Sequence, residues 1–248
     1  MVTTLYLIRH GETEGSERAS YKGSIDVPLS ENGIRQMREA SDFLLKLLES
    51  SSTVKRGYLQ DVHGSGDRSS RAACEFDKGR SGACTNSLAA VYCSSLARAI
   101  RSAEIIAAPH GLNTVAIHEL RERSFGIWEG MTFSEIKEKY PEEFGLWAGN
   151  PLKYGPPGGE STLEVKERVI GALQRVLSTH RGDKVAVMAH GGVNRIIICH
   201  VLEIPLEHLF RVEQDHAAIN IIEFWDKYPV VKLINGGAFN KPDRQHQV

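Results

Sequence analysis

Two short apolar runs, residues 3–8 and 184–189, each stop at or beside a histidine followed by glycine: Arg9-His10-Gly11 after the first and His190-Gly191-Gly192 after the second. Runs of this length without alternation belong to strands buried on both faces, the situation of a parallel sheet covered by helices. In such sheets ligands gather in the crevice beyond the carboxyl ends of the strands. Two strands ending in His-Gly therefore bring two imidazoles to one mouth, with Arg9 beside the first. A guanidinium fixed next to paired imidazoles suits an incoming phosphate, and suits nucleophilic attack on phosphorus better still.

The rest of the chain has the rhythm such a sheet needs. Ser30 caps a helical pattern through Ile34, Met37, Phe43, Leu44, Leu47 and Leu48 that fades at Ser50. Residues 89–92 read as a second strand, 96–108 as a helix and 114–117 as a third strand. Thr132-Phe133-Ser134-Glu135 and Ser161-Thr162-Leu163-Glu164 are capping boxes, the second opening a helix to about residue 179. A fourth strand at 184–189 is followed by an apolar helix at 193–202, and 219–224 and 230–234 pair as a C-terminal hairpin. The expected fold is an α/β three-layer sandwich: a mainly parallel central sheet, helices on both faces, and that hairpin at one side.

The 248 residues are read as one domain spanning 1–248, interrupted by a Ser-, Gly- and Arg-rich surface insertion at about 50–88. The insertion leaves a helix and enters a strand at its amino end, so it is expected on the sheet edge opposite the histidines. A zinc clip of Cys74, Cys84 and His63 is the other reading of it, but the spacing matches no usual site. A net charge of −1 argues against a nucleic-acid partner drawn by bulk electrostatics. No apolar stretch is long enough to span a bilayer, so no membrane partner is expected either. The four cysteines contain no C-x-x-C pair, and no secretory signal is legible at the amino end. The expected compartment is the cytoplasm. His200, His208 and His216 have no ligand-pair spacing; they read as packing or surface residues, and no metal site is expected.

Taken singly, a histidine at a strand end is a structural residue, an arginine after a strand a solvated charge, and a loop glutamate simply exposed. Jointly, His10, His190, Arg98 and Glu122 all follow the carboxyl ends of separate strands. Five motifs in order then resemble the histidine phosphatase superfamily, in the branch that includes cofactor-dependent phosphoglycerate mutase. They are Arg9-His10-Gly11-Glu12-Thr13, the segment from Tyr21 to Leu29, Ser95-Leu96-Ala97-Arg98-Ala99, the loop from Leu120 through Gly130, and His190-Gly191-Gly192. The resemblance covers nearly the whole chain apart from the insertion.

It implies that His10 attacks phosphorus and becomes a phosphohistidine, which water then hydrolyses. His10 must be neutral for this, so its other ring nitrogen should donate to a fixed acceptor such as a backbone carbonyl. Arg9, Arg98 and His190 would surround the phosphoryl oxygens, and Glu122 would protonate the leaving oxygen, with Glu119 the less favoured choice. Substrate contacts are expected from Arg9, Ser16, Gly23, Arg98, His190 and Gly191, with no cofactor. Ser16 stands where the family commonly has Asn. The segment 121–160, carrying Phe125, Trp128, Trp147 and Tyr154, is expected to wall the pocket.

The Gly-Pro-Pro-Gly-Gly-Glu-Ser stretch and the His-Gly-Gly triplet look like the phosphatases rather than the mutases. The reading is therefore a metal-independent phosphomonoesterase for a small phosphorylated metabolite, such as α-ribazole phosphate, phosphoserine or a sugar phosphate. A cofactor-dependent phosphoglycerate mutase and a phospholigand-binding module with weak catalysis are the alternatives. Whether the chain forms a homodimer is left open.

Overall fold

In the computed structural model, which describes residues 1–16, 20–50 and 87–237, the first apolar run forms strand β1 (Thr3–Arg9) at the heart of a six-stranded sheet. Successive side chains of a strand point to opposite faces, and β1 has apolar residues in both directions. Leu5 and Leu7 enter one core cluster, Tyr6 and Ile8 the other. Such a strand is stable only with helices on both sides, and both are present. Helices α1 (Glu31–Ser50) and α2 (Ala97–Ala107) cover one face through Met37, Leu44, Leu48, Ala103 and Ile106. Helices α5 (Thr162–Thr179) and α6 (Gly191–Val201) cover the other through Val165, Val169, Leu173 and Ile197. Between β2 (Ala90–Ser94) and α5 lie the edge strand β3 (Thr114–Ile117) and two short helices, α3 (Phe133–Lys139) and α4 (Pro141–Gly149). Strands β4 (Lys184–Ala189), β5 (Ile219–Phe224) and β6 (Pro229–Gly236) complete the set.

The strand order is β3-β2-β4-β1-β5-β6. The first four strands of that order run parallel, while β5 pairs antiparallel with β1, and β6 with β5. This is the three-layer α/β arrangement with its hairpin. The register decides where the chemistry falls: Arg9 is opposite Ala189, so the next residues, His10 and His190, emerge side by side. Both capping boxes are complete, Thr132 with Glu135 and Ser161 with Glu164, and Ser30 Oγ accepts from Gly33 N at 3.0 Å at the start of α1.

Helix α6 starts directly after the histidine, two residues earlier than its apolar pattern predicts. Helix α4 was not legible. It opens on Pro141 with Glu142 and Glu143 in its first turn, but none of its side chains is fully buried, so it has no apolar stripe to detect. Most of the insertion, with Cys74, Cys84 and His63, lies outside the described residues. Its flanks are at the amino edge of the sheet, where Ala89 N donates to Lys184 O. Among the described residues, no helix is long and apolar enough to cross a membrane.

Candidate active site

Three parallel strands end together, and each delivers a polar residue to the same corner. His10 follows β1 and is 6% exposed; its Nδ1 lies 2.6 Å from the carbonyl of Gly11. A carbonyl only accepts, so Nδ1 carries the proton and Nε2 keeps its lone pair. Burial, then Arg9 and Arg98, hold the His10 imidazole well below its ordinary pKa, so the ring is neutral at physiological pH. His190 follows β4 and is fully buried. Its ring meets that of His10 edge to face, with centroids 5.0 Å apart, and its Nε2 lies 2.8 Å from Ser94 Oγ at the end of β2. Burial and the same cations push its pKa well down too.

Two arginines flank the pair. Arg98, in the first turn of α2, is 3% exposed and donates to the carbonyls of Ile25 and Gly23 at 2.7 Å each. Gly23 makes this possible with a backbone φ of +47°; a Cβ there would lie 2.7 Å from Glu129 Oε1 and 2.9 Å from the Arg123 carbonyl. Arg9 donates to the carbonyl of Gln214, and its Nη2 lies 3.0 Å from His216 Nε2. Arg9 Nε and His190 Nδ1 are buried and, among the described residues, have no hydrogen-bond partner. An unpaired buried polar group costs roughly 1–3 kcal/mol, more when charged. A cluster with one buried and one part-buried guanidinium and two unsatisfied nitrogens is therefore suited to an anion.

Glu122 is the carboxylate of this corner. Its Oε2 accepts from Gly192 N, in the first turn of α6, at 3.0 Å, and its Oε1 from Arg123 N at 2.9 Å. A Cβ at residue 192 would come within 2.6 Å of Glu122 Oε1, so any larger residue there would displace this carboxylate. The loop is held from behind by Arg168 of α5, which donates to the carbonyls of Glu119, Arg121 and Glu122 at 2.6, 2.8 and 3.3 Å. The same guanidinium grips both oxygens of Glu160 at 2.6 and 2.8 Å. Arg121 turns to the Ser24 carbonyl, and Arg123 stacks over Phe125 and reaches the Glu160 carbonyl. Glu119 points away from the corner and pairs with the exposed Arg175. Of the two carboxylates considered, only Glu122 shares the corner with the histidines.

Ser16 Oγ closes a turn by donating to the Thr13 carbonyl at 2.6 Å, with Lys22 Nζ 3.5 Å away. The place a Cβ on Gly191 would occupy is 3.4 Å from Arg9 Nε, so α6 begins against that guanidinium. Trp128 is a correction. It is 1% exposed and packs against Phe144 and Trp147, so it is core of the small helical subregion rather than pocket wall. Phe125 and Tyr21, with ring centroids 4.6 Å apart and planes tilted by 43°, form an aromatic pair nearer the site.

His216 is a second correction. It is neither surface nor inert packing: its ring lies 5.8 Å from that of His10, and it contacts Arg9. It sits just before β5, and an antiparallel strand begins at the edge where its parallel neighbour ends. That topological signal was present in the sequence. Arg168 and Glu160 were also missed, and no local pattern marks a contact made from a helix to a distant loop.

Residues 5–57 and 82–236 match the family model described as the histidine phosphatase superfamily (branch 1). The chain is 31% identical over 234 residues to a bifunctional protein of Mycobacterium tuberculosis, covering 94% of this chain and 54% of that one. It thus spans about half the length of that relative. Phosphoserine phosphatase 1 of Hydrogenobacter thermophilus is 29% identical over 231 residues, covering 93% of this chain and 91% of the relative. The α-ribazole phosphatase of Shigella flexneri has a TM-score of 0.72 at 22% identity, covering 94% of this chain and 96% of the other, a likeness of fold.

Proposed function

We propose that this chain, which belongs to the histidine phosphatase superfamily (branch 1), is a phosphomonoesterase that hydrolyses a small phosphorylated metabolite through a phosphohistidine on His10. The single observation that carries the reading is the 2.6 Å contact from His10 Nδ1 to the Gly11 carbonyl, in a ring that burial and two guanidiniums keep neutral. That contact leaves Nε2 as the attacking atom.

In the first step Nε2 forms a bond to phosphorus as the bond to the leaving oxygen breaks. Glu122, as general acid, gives a proton to that oxygen, and the alcohol departs. Arg9, Arg98 and His190 face the non-bridging oxygens and stabilise their charge through the transfer. In the second step a water oxygen attacks phosphorus, Glu122 takes the water's proton, and the N–P bond breaks. Phosphate leaves, and His10 returns to its neutral form with Nδ1 still held. Glu122 suits both steps because two backbone N–H groups, from elements on either side, fix the positions of its oxygens.

The phosphatase name of the Hydrogenobacter relative supports hydrolysis over transfer, as does the His-Gly-Gly triplet at residues 190–192. A screen of phosphate release from phosphoserine, α-ribazole phosphate, sugar phosphates and 3-phosphoglycerate tests the proposal. The expected result is free phosphate from at least one metabolite. Interconversion of phosphoglycerates faster than phosphate release would replace it with a mutase, and phosphate binding without turnover of any ester with a binding module.

A further inference from the structure

The C-terminal hairpin builds part of the site. The segment leading into β5 runs along the end of β1: Arg9 N donates to the Ala218 carbonyl at 3.0 Å, and Ala217 N donates to the His10 carbonyl at 3.1 Å. Ala217 is fully buried with a left-handed φ of +59°, a conformation that alanine adopts only where its surroundings impose it. What imposes it is a buried web of amides. Gln214 and Asn220, both 0% exposed, bond each other twice, at 2.8 and 2.9 Å, and Asn220 also donates to the Leu7 carbonyl at 3.0 Å. Asn235 of β6 clamps Asp215 from the other side, accepting from its backbone N at 2.7 Å.

The product of this construction is a seat for Arg9. The Gln214 carbonyl takes Nη1, and His216 Nε2 lies 3.0 Å from Nη2. A guanidinium only donates, so Nε2 of His216 is the acceptor in this contact. We propose that His216 is a positioning residue for phosphate recognition, fixing the plane of the Arg9 guanidinium so that it meets the phosphoryl oxygens already oriented. This rests on reading the corner as a phosphoryl site. The acceptor role requires an uncharged ring. Burial and Arg9 bring the His216 pKa down to about 4, with Lys22 adding to the effect and Glu12 and Asp215 opposing it. A cation held at two of its nitrogens has less freedom to lose when it binds an anion, which raises affinity without a new contact.

The test is binding of inorganic phosphate by calorimetry at neutral pH, alongside steady-state kinetics and thermal melting. In H216Q the side-chain amide oxygen can stand in for Nε2; in H216L nothing can, and H216M serves if H216L does not fold. H216L is expected to bind phosphate on the order of tenfold more weakly, with KM rising more than kcat falls, while H216Q stays within about threefold of wild type. Wild-type affinity in H216L, or equal weakness in both variants, would overturn the proposal. Wild-type protein that does not bind phosphate would overturn the phosphoryl-site reading and this role together. Phosphate binding that depends on His216, in a protein that hydrolyses no ester, would retain this role and remove the phosphomonoesterase reading.

Discussion

The two edges of the central sheet each hold buried or half-buried histidines, and they use them in opposite ways. At the amino edge, His180 has a partner on each ring nitrogen: Tyr92 OH lies 2.9 Å from Nε2, and Asp183 Oδ2 lies 3.1 Å from Nδ1. Its carbonyl accepts from Thr3 Oγ1. Both ring nitrogens and the carbonyl of His180 are answered locally, and the cluster locks the turn between α5 and β4. At the carboxyl edge, His10, His190 and His216 share a corner with the buried Arg98, the part-buried Arg9 and the Glu122 carboxylate, and among the described residues Arg9 Nε and His190 Nδ1 have no partner. The residue type is the same, and the difference lies in satisfaction and charge. A histidine whose partners are complete is structural; a group of them beside two guanidiniums, with a ring nitrogen and a guanidinium nitrogen unpartnered among the described residues, is arranged to receive an anion.

That contrast can be broken by experiment. Replacing His10 with Ala removes the attacking nitrogen and should lower kcat/KM by at least about ten-thousandfold in a phosphate-release assay, with little change in melting temperature. Glu122→Gln keeps the side chain's shape but offers one acceptor oxygen where the carboxylate offers two, and no transferable proton. Its expected loss is roughly a hundred- to ten-thousandfold, greatest for esters with poor leaving groups, and a leaving-group series would show it. If Glu119→Gln gave that signature instead, the loop would be misread.

The same edge should govern acid stability. His10 and His190 are neutral when folded and have the ordinary value of 6.5 when unfolded. Below pH 6.5 the unfolded chain binds protons that the folded one does not, so unfolding becomes easier as the pH falls from 7.5 to 5, until the depressed folded-state values are passed. Urea midpoints across that range check this, and a midpoint that rises on acidification would contradict it. The smallest effect belongs to the amino edge. His180→Ala should cost about 1–2 kcal/mol and a few degrees of melting temperature, with kcat/KM within about twofold of wild type.

How much of this was legible follows the same division. The parallel core was readable because β1 and β4 are apolar on both faces and end in the same dipeptide. His10, Arg9 and His190 could be placed together from those strand ends alone. Arg98 and Glu122 were named with them because each follows a strand of its own, and the structure adds what holds them: the Gly23 carbonyl, Gly192 N and Arg168. His216 escaped because only residues after parallel strands were weighed, although β5 begins at that edge. The Gln214–Asn220 web and the Arg168–Glu160 pair escaped for a deeper reason. They join residues through tertiary contacts that no periodicity encodes. Trp128 was assigned to the pocket by its position in the loop, but burial among Phe144 and Trp147 decided otherwise.

The central claim is that one imidazole, His10, carries the phosphoryl group in transit. Its most direct test is to mix the protein with a 32P-labelled phosphate ester that it hydrolyses, quench in alkali and map the label by peptide. The account predicts an acid-labile, base-stable label on the peptide containing His10, absent from the His10→Ala variant. Label on another residue, or label and turnover retained in His10→Ala, would contradict it.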